Sequence, residues 1–182
     1  MKIKQKTILF CSEVYTSLGV LRCLGEAGFR PECYCYGPGC NYLLSCKYIS
    51  RGKAFTTKED VLKFLIKDYP EYKEKPVLLT IPDYPAYLVD LHKDELEKKF
   101  ILMSKNLFLL MSAGEAGAIV HWMDKKNISL LAKKHGLIIP WAIELAKNAP
   151  VPNNLEYPVF TKSIKTADGG KGEDTSVNRS MT

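Results

Sequence analysis

Residues 6–36, KTILFCSEVYTSLGVLRCLGEAGFRPECYCY, decide the fold. Lys6–Cys11 is a short, β-compatible apolar run, and Ser12–Ser17 is polar. Leu18–Ala27 sets Leu18, Leu21 and Leu24 at helical spacing, and Gly28 supplies the C-terminal stop. After the Phe29-Arg30-Pro31 turn, Glu32–Tyr36 reads as the next strand. Strand, helix and strand inside about 30 residues make a βαβ unit, which implies a parallel sheet covered by helices.

Moving outward, Asp60–Asp68 reads as a helix with Val61, Leu62, Phe64 and Leu65 apolar. Val77–Ile81 is long enough and apolar enough for a buried central strand, with Asp83 and Tyr84 directly at its carboxyl end. Asp94–Lys99 is a charged helical turn, and Asp124–His135 is an amphipathic helix closed by Gly136. Pro150–Asn154 is a loop and Tyr157–Lys162 a short strand. Thr166–Thr182 is almost wholly polar, and at a free end it would be mobile. The expected fold class is α/β: a Rossmann-like parallel sheet with helices on both faces, followed by an incomplete α+β segment. The shift in composition near 121–124 divides the chain into residues 1–122, 123–165 and a glycine-rich, polar stretch 166–182.

Composition narrows the function classes. The chain has 182 residues, 46% hydrophobic and 25% charged, a globular balance. No apolar run approaches the ~20 residues of a membrane helix. Net charge is +6, distributed as +4, +1 and +1 over residues 1–60, 61–146 and 147–182, so no basic stripe points to nucleic acid. Lys2, Lys4 and Lys6 precede an apolar core of only Ile8–Cys11, too short for a secretory signal. All six cysteines fall in the first 46 residues, without the paired spacing of a zinc site, and read as reduced structural thiols of a cytoplasmic protein. His92, His121 and His135 are scattered, and no catalytic or metal-ligating set follows from spacing. Phe100–Met111 reads as a core element or as an association surface, which leaves a homodimer open.

Three places could carry chemistry. Ser12, Ser17 and Gly19 lie between the first strand and first helix, where doubly wound folds bind ligands, although only Gly19 of a dinucleotide fingerprint is present. The plain alternative is that Ser17 caps the helix. Asp83 and Tyr84, at a strand end, are the other first-domain candidates for a substrate cleft. Further on, Tyr157-Pro158-Val159-Phe160-Thr161-Lys162 leads into Asp168-Gly169-Gly170-Lys171-Gly172, a strand lysine followed by a glycine cluster able to wrap N–H groups around phosphates. The third is Met123-Asp124-Lys125-Lys126, which otherwise reads as an N-cap aspartate with solvated lysines.

In this order the pieces resemble the ATP-grasp superfamily, in particular its carbamoyl-phosphate-synthase-like and carboxylate–amine ligase members. The chain looks like the N-terminal pre-ATP-grasp domain plus the start of the ATP-grasp domain. The resemblance is carried by Leu18-Gly19-Val20-Leu21-Arg22-Cys23-Leu24-Gly25, by Ser45-Cys46-Lys47-Tyr48, and by Asp124-Lys125 with Leu131–Pro140. Tyr157–Lys162 and Asp168–Gly172 complete it. It implies that Lys125 reaches nucleotide phosphate, that Lys162 contacts the adenine ring and α-phosphate, and that Gly169, Gly170, Lys171 and Gly172 close over the β- and γ-phosphates. It implies ATP and Mg²⁺, with metal ligands outside this chain, and small-molecule carboxylate and amine substrates, with neither nucleic acid nor membrane as partner. The expected activity is ligation through an acyl phosphate, which these residues alone would not complete. The alternatives are a non-catalytic Rossmann-like module binding a small acidic ligand or a partner, and a sugar-nucleotide transferase or epimerase.

Overall fold

Thr7–Ser12 forms β1, buried along its whole length. A strand with two apolar faces belongs in the middle of a sheet, and β1 is the central one. The computed structural model describes residues 5–12, 15–102, 121, 124–146, 149–162 and 175–178. The chain divides into two compact units, residues 1–120 and 121–182.

In the first unit, β1 is followed by α1 (Tyr15–Glu26), β2 (Glu32–Tyr36), α2 (Cys40–Leu44), β3 (Arg51–Phe55) and α3 (Lys58–Lys63). A π-helical turn, Phe64–Asp68, continues α3; then come β4 (Val77–Ile81), α4 (Asp83–Leu91), α5 (Lys93–Leu96) and β5 (Ile101–Leu102). The sheet has five strands in the order β3-β2-β1-β4-β5, every neighbouring pair parallel. The chain winds outward from β1 to β3, then crosses back to β4 on the other side of β1. This is an α/β Rossmann-like architecture, with its topological switch between β1 and β4.

Strand alternation sorts the core into two layers. Ile8, Phe10 and Tyr34 pack with Val61, Leu62, Leu65, Leu88 and Val89, so α3, the π-turn and α4 cover one face. Leu9, Cys11, Cys33 and Cys35 pack with Leu21, Cys40 and Leu43, so α1 and α2 cover the other. Cys11, Cys33, Cys35 and Cys40 are all reduced and buried, and the Cys11 and Cys33 sulfurs lie 3.7 Å apart. The neighbouring Cys11 thiol, with burial, pushes Cys33 well above the ordinary thiol range. These are inert core groups.

At the amino end of the sheet, buried Glu32 gathers four partners. Lys6 and Arg51 each lie 2.9 Å from its carboxylate, and the Tyr34 and Tyr69 hydroxyls donate to it at 2.7 and 3.1 Å. Burial alone would raise this carboxyl, but the bonds from Lys6, Tyr34 and Arg51 outweigh it and hold the group below its ordinary value.

Several expected boundaries move. Helix α1 starts at Tyr15 rather than Leu18. A helix's first turn keeps unpaired N–H groups and tolerates polar side chains, so the polarity of residues 15–17 did not mark a loop. Ser17 is therefore no N-cap; it is buried inside α1 and donates its hydroxyl to the Ser12 carbonyl at 2.8 Å. Gly19 likewise lies within the helix. Asp83 and Tyr84 open α4, whose Pro85 falls in the first turn, where the missing N–H leaves no bond unmade. Of the Phe100–Met111 stretch, Phe100 and Leu102 are core residues; residues 103–111 lie outside the described set.

The second unit holds α6 (Lys125–Lys134) and an antiparallel pair, β6 (Val159–Lys162) and β7 (Thr175–Asn178). Within the polar stretch 166–182, Thr175–Asn178 forms a strand, and the remaining residues lie outside the described set. Helix α6 ends at Lys134 with His135 as its C-cap, and Gly136 takes φ 71°, the left-handed conformation that favours glycine after a helix.

Candidate functional sites

The carboxyl edge of the first unit is built by strand register. Ser12 ends β1 opposite Tyr36, the last residue of β2, while Cys11 pairs with Ile81 at the end of β4. Alternation puts Ser12 on the same face as Phe10. Ser12 is 5% exposed, at the same level as the Tyr36 phenol. The Tyr36 ring meets Phe10 edge-on, centroids 6.2 Å apart. Burial chiefly raises the Tyr36 phenol above its ordinary range; a hydrogen bond with Ser12 works against that rise, and Cys11, Glu59 and Tyr84 add to it. Lys58 holds its ammonium 4.0 Å above the Tyr84 ring and 3.8 Å from Glu59.

Of the residues read from the sequence, Ser12, Asp83 and Tyr84 lie at this edge. Ser17 faces back onto the Ser12 carbonyl and Gly19 sits in the body of α1, away from a loop. Tyr36, Lys58 and Glu59 were not anticipated. Placing β2 beside β1 would have revealed Tyr36, since both strands end at the same level. Lys58 and Glu59 had no such signal, because β3, which delivers the chain to α3, is an exposed edge strand without an apolar run.

An open depression of about 570 Å³ between β3 and α3 is lined by Lys53, Phe55, Lys63 and Phe64, among others. It lies two strands from Ser12, and Lys53 already sits 4.8 and 5.5 Å from the Phe55 and Phe64 ring centres.

In the second unit, Asp124 caps α6 by accepting from the Lys126 amide at 2.9 Å, and Lys125 becomes the first helical residue. Lys126 pairs with Glu144 at 3.1 Å, a partner the sequence did not suggest. Asn127 donates to the His121 carbonyl at 2.8 Å, and Ser129 to that of Lys125 at 2.9 Å. Lys162 ends β6 directly opposite Thr175, the first residue of β7. The segment between them contains Gly169, Gly170, Lys171 and Gly172, all outside the described residues. Among the described residues, no three His, Cys, Asp or Glu side chains converge as a metal site, and no helix is long and apolar enough to cross a membrane.

Compared with known proteins, the chain matches no family model, no curated protein and no solved structure.

Proposed function

We propose that this chain carries the phosphate-binding start of an ATP-dependent ligase of the ATP-grasp kind, one that activates a carboxylate for attack by an amine. The observation that carries the reading is the β6–β7 pairing. Lys162 and Thr175 face each other at one end of an antiparallel ladder, and the residues joining them hold the Gly169–Gly172 cluster. A glycine-rich connection clamped at both ends by a ladder can turn successive N–H groups toward phosphate oxygens. Lys162 and Lys171 add positive charge, and Lys125 stands at the amino end of α6, where the helix dipole also favours an anion.

ATP, when bound, would supply the phosphoryl group that converts a poorly electrophilic carboxylate into an acyl phosphate. The lysines would bind and orient the polyphosphate and offset the charge that builds on the transferred group. No described residue is assigned to Mg²⁺, because no acidic set converges here; the proposed work of this chain is phosphate binding by backbone N–H groups and lysines.

The test is limited proteolysis of the full chain with trypsin, which cuts at Lys165 and Lys171. ATP should protect the 163–174 segment, a sugar nucleotide should not, and Lys162→Ala should weaken ATP binding at least about tenfold, the scale of one charge-assisted contact. Equal cleavage with and without millimolar ATP would overturn the reading.

A further inference from the structure

β3 is an edge strand of the five-stranded sheet, and half of its peptide groups face away from β2. The Gly37 amide donates to the Phe55 carbonyl at 3.4 Å, and bonding alternates along the strand, so Arg51, Lys53 and Phe55 bond toward β2. The N–H and C=O groups of Gly52 and Ala54 therefore point outward, and both residues are exposed. Such an edge is a template for another strand unless a proline, a bulge or a covering element blunts it. β3 contains no proline, and its register with β2 runs unbroken from Arg51 to Phe55. A Cβ at Gly52 would strike Leu44 and the Cys33 carbonyl, so that position cannot carry a shielding side chain. Both cations of the strand are engaged within their own chain. Arg51 lies 2.9 Å from Glu32, and Lys53 sits 4.8 Å from the Phe55 ring centre.

A second copy of the same strand, run antiparallel, fits this edge. Two copies paired this way are related by a two-fold axis, so the contact closes at a dimer. The charges of β3 then choose the register. Centring the pair on Arg51, Gly52 or Lys53 sets like charges opposite one another. Centring it on Phe55 runs the ladder into Thr57, which caps α3. Centred on Ala54, Lys53 falls opposite Phe55 of the second copy and Gly52 opposite Thr56, with no like charges facing. That register sets a cation against an aromatic ring twice, once on each side of the axis. The depression of about 570 Å³ beside β3 has Asp60 and Asp68 in its lining along with Lys53 and Lys63, so an arriving Lys53 ammonium meets acids as well as cations.

We propose that the chain forms a homodimer by antiparallel β3–β3 pairing centred on Ala54, so that one sheet runs through both copies. The surface lies wholly within the first unit and does not rest on the nucleotide reading.

Sedimentation equilibrium of the full chain tests this, and a dimer should form with a Kd below about 100 µM. Ala54→Pro removes an N–H that the single subunit leaves unused, a change that edge strands accept. It should weaken the dimer at least about tenfold while the circular dichroism stays native. A cysteine pair reads the register. Cα atoms in a hydrogen-bonded antiparallel pair are about 5.5 Å apart, within disulfide range, so Ala54→Cys should cross-link two copies under mild oxidation. Lys53→Cys, which faces residue 55 of the second copy and not itself, should not. Both variants carry Cys23→Ala, because Cys23 is exposed. Should Ala54→Pro lose its native circular dichroism, the cysteine pair decides. A chain that remains monomeric at about 100 µM overturns the proposal. So does a dimer that a natively folded Ala54→Pro leaves intact, or cross-linking no stronger at position 54 than at position 53.

Discussion

Glu32 gathers four partners on one carboxylate. Two phenols and two cations converge on one buried group, so removing its charge leaves buried Tyr34 and Tyr69 hydroxyls without their strong acceptor. Lys6 and Arg51 are partly exposed and can return to water, which limits the loss. Glu32→Gln should therefore cost about 2 kcal/mol in urea unfolding at pH 7. Because the folded carboxyl sits below its ordinary value of about 4.5, its contribution is complete above that pH and is lost as pH falls through the folded value. The gap between parent and variant should close on acidification. Tyr34 and Tyr69, both raised by burial and by Glu32, act in the opposite sense: their contribution is complete below about pH 10 and fades above it. Gly25 makes a second residue-scale case. A Cβ there would fall on the Tyr48 ring. Alanine normally favours a helix over glycine by about 1 kcal/mol, yet Gly25→Ala should destabilise by about 1–3 kcal/mol through this overlap. Adding Tyr48→Ala should remove the clash, so that Gly25→Ala becomes neutral or stabilising in that background; thermal unfolding of the four-protein cycle reads both effects. The glycine and tyrosine that belong to separate motifs in the sequence are thus one packed contact.

At the scale of elements, legibility followed burial. β1, β2 and β4 could be read almost to the residue because each is a run of apolar side chains facing two covered surfaces. β3 could not: it is an edge strand whose Arg51, Gly52, Lys53 and Ala54 are exposed, so neither alternation nor apolarity marks it. α4 was hidden by Pro85, which punctuates a sequence but is harmless in a first helical turn. β7, a polar strand, had no apolar signal and is specified by its pairing with β6. The candidate site was legible only where it touches buried strands. Ser12, Asp83 and Tyr84 follow strand ends that could be located, whereas Lys58 and Glu59 depend on the unseen edge. α6 shows the opposite case, since its aspartate cap and glycine stop were both written in the sequence. Asp124→Ala should remove the bond to the Lys126 amide and weaken α6 by about 1 kcal/mol. Hydrogen exchange should show faster exchange of the Ile128 and Ser129 amides with β1 amides unchanged.

At the scale of the whole molecule, the two units are built differently. The first has core layers on both faces of its sheet. In the second, no described residue from 121 to 161 is buried, and Leu130, Leu137, Ile138, Trp141 and Phe160 are all exposed. Cooperative stability therefore resides in the first unit, since burial of apolar surface is the main favourable term in folding. The four buried thiols turn that asymmetry into a built-in clock. A cysteine-directed alkylating reagent added to the native protein should modify Cys23, which is exposed, and more slowly the half-buried Cys46. Cys11, Cys33, Cys35 and Cys40 should remain unlabelled until the β1–β2 layer separates from α1 and α2. A mass shift of two adducts would then count molecules that are intact, and a shift of six would count molecules that have opened globally. The chain can report its own unfolding rate in a crude cell extract, with no added dye and no engineered residue.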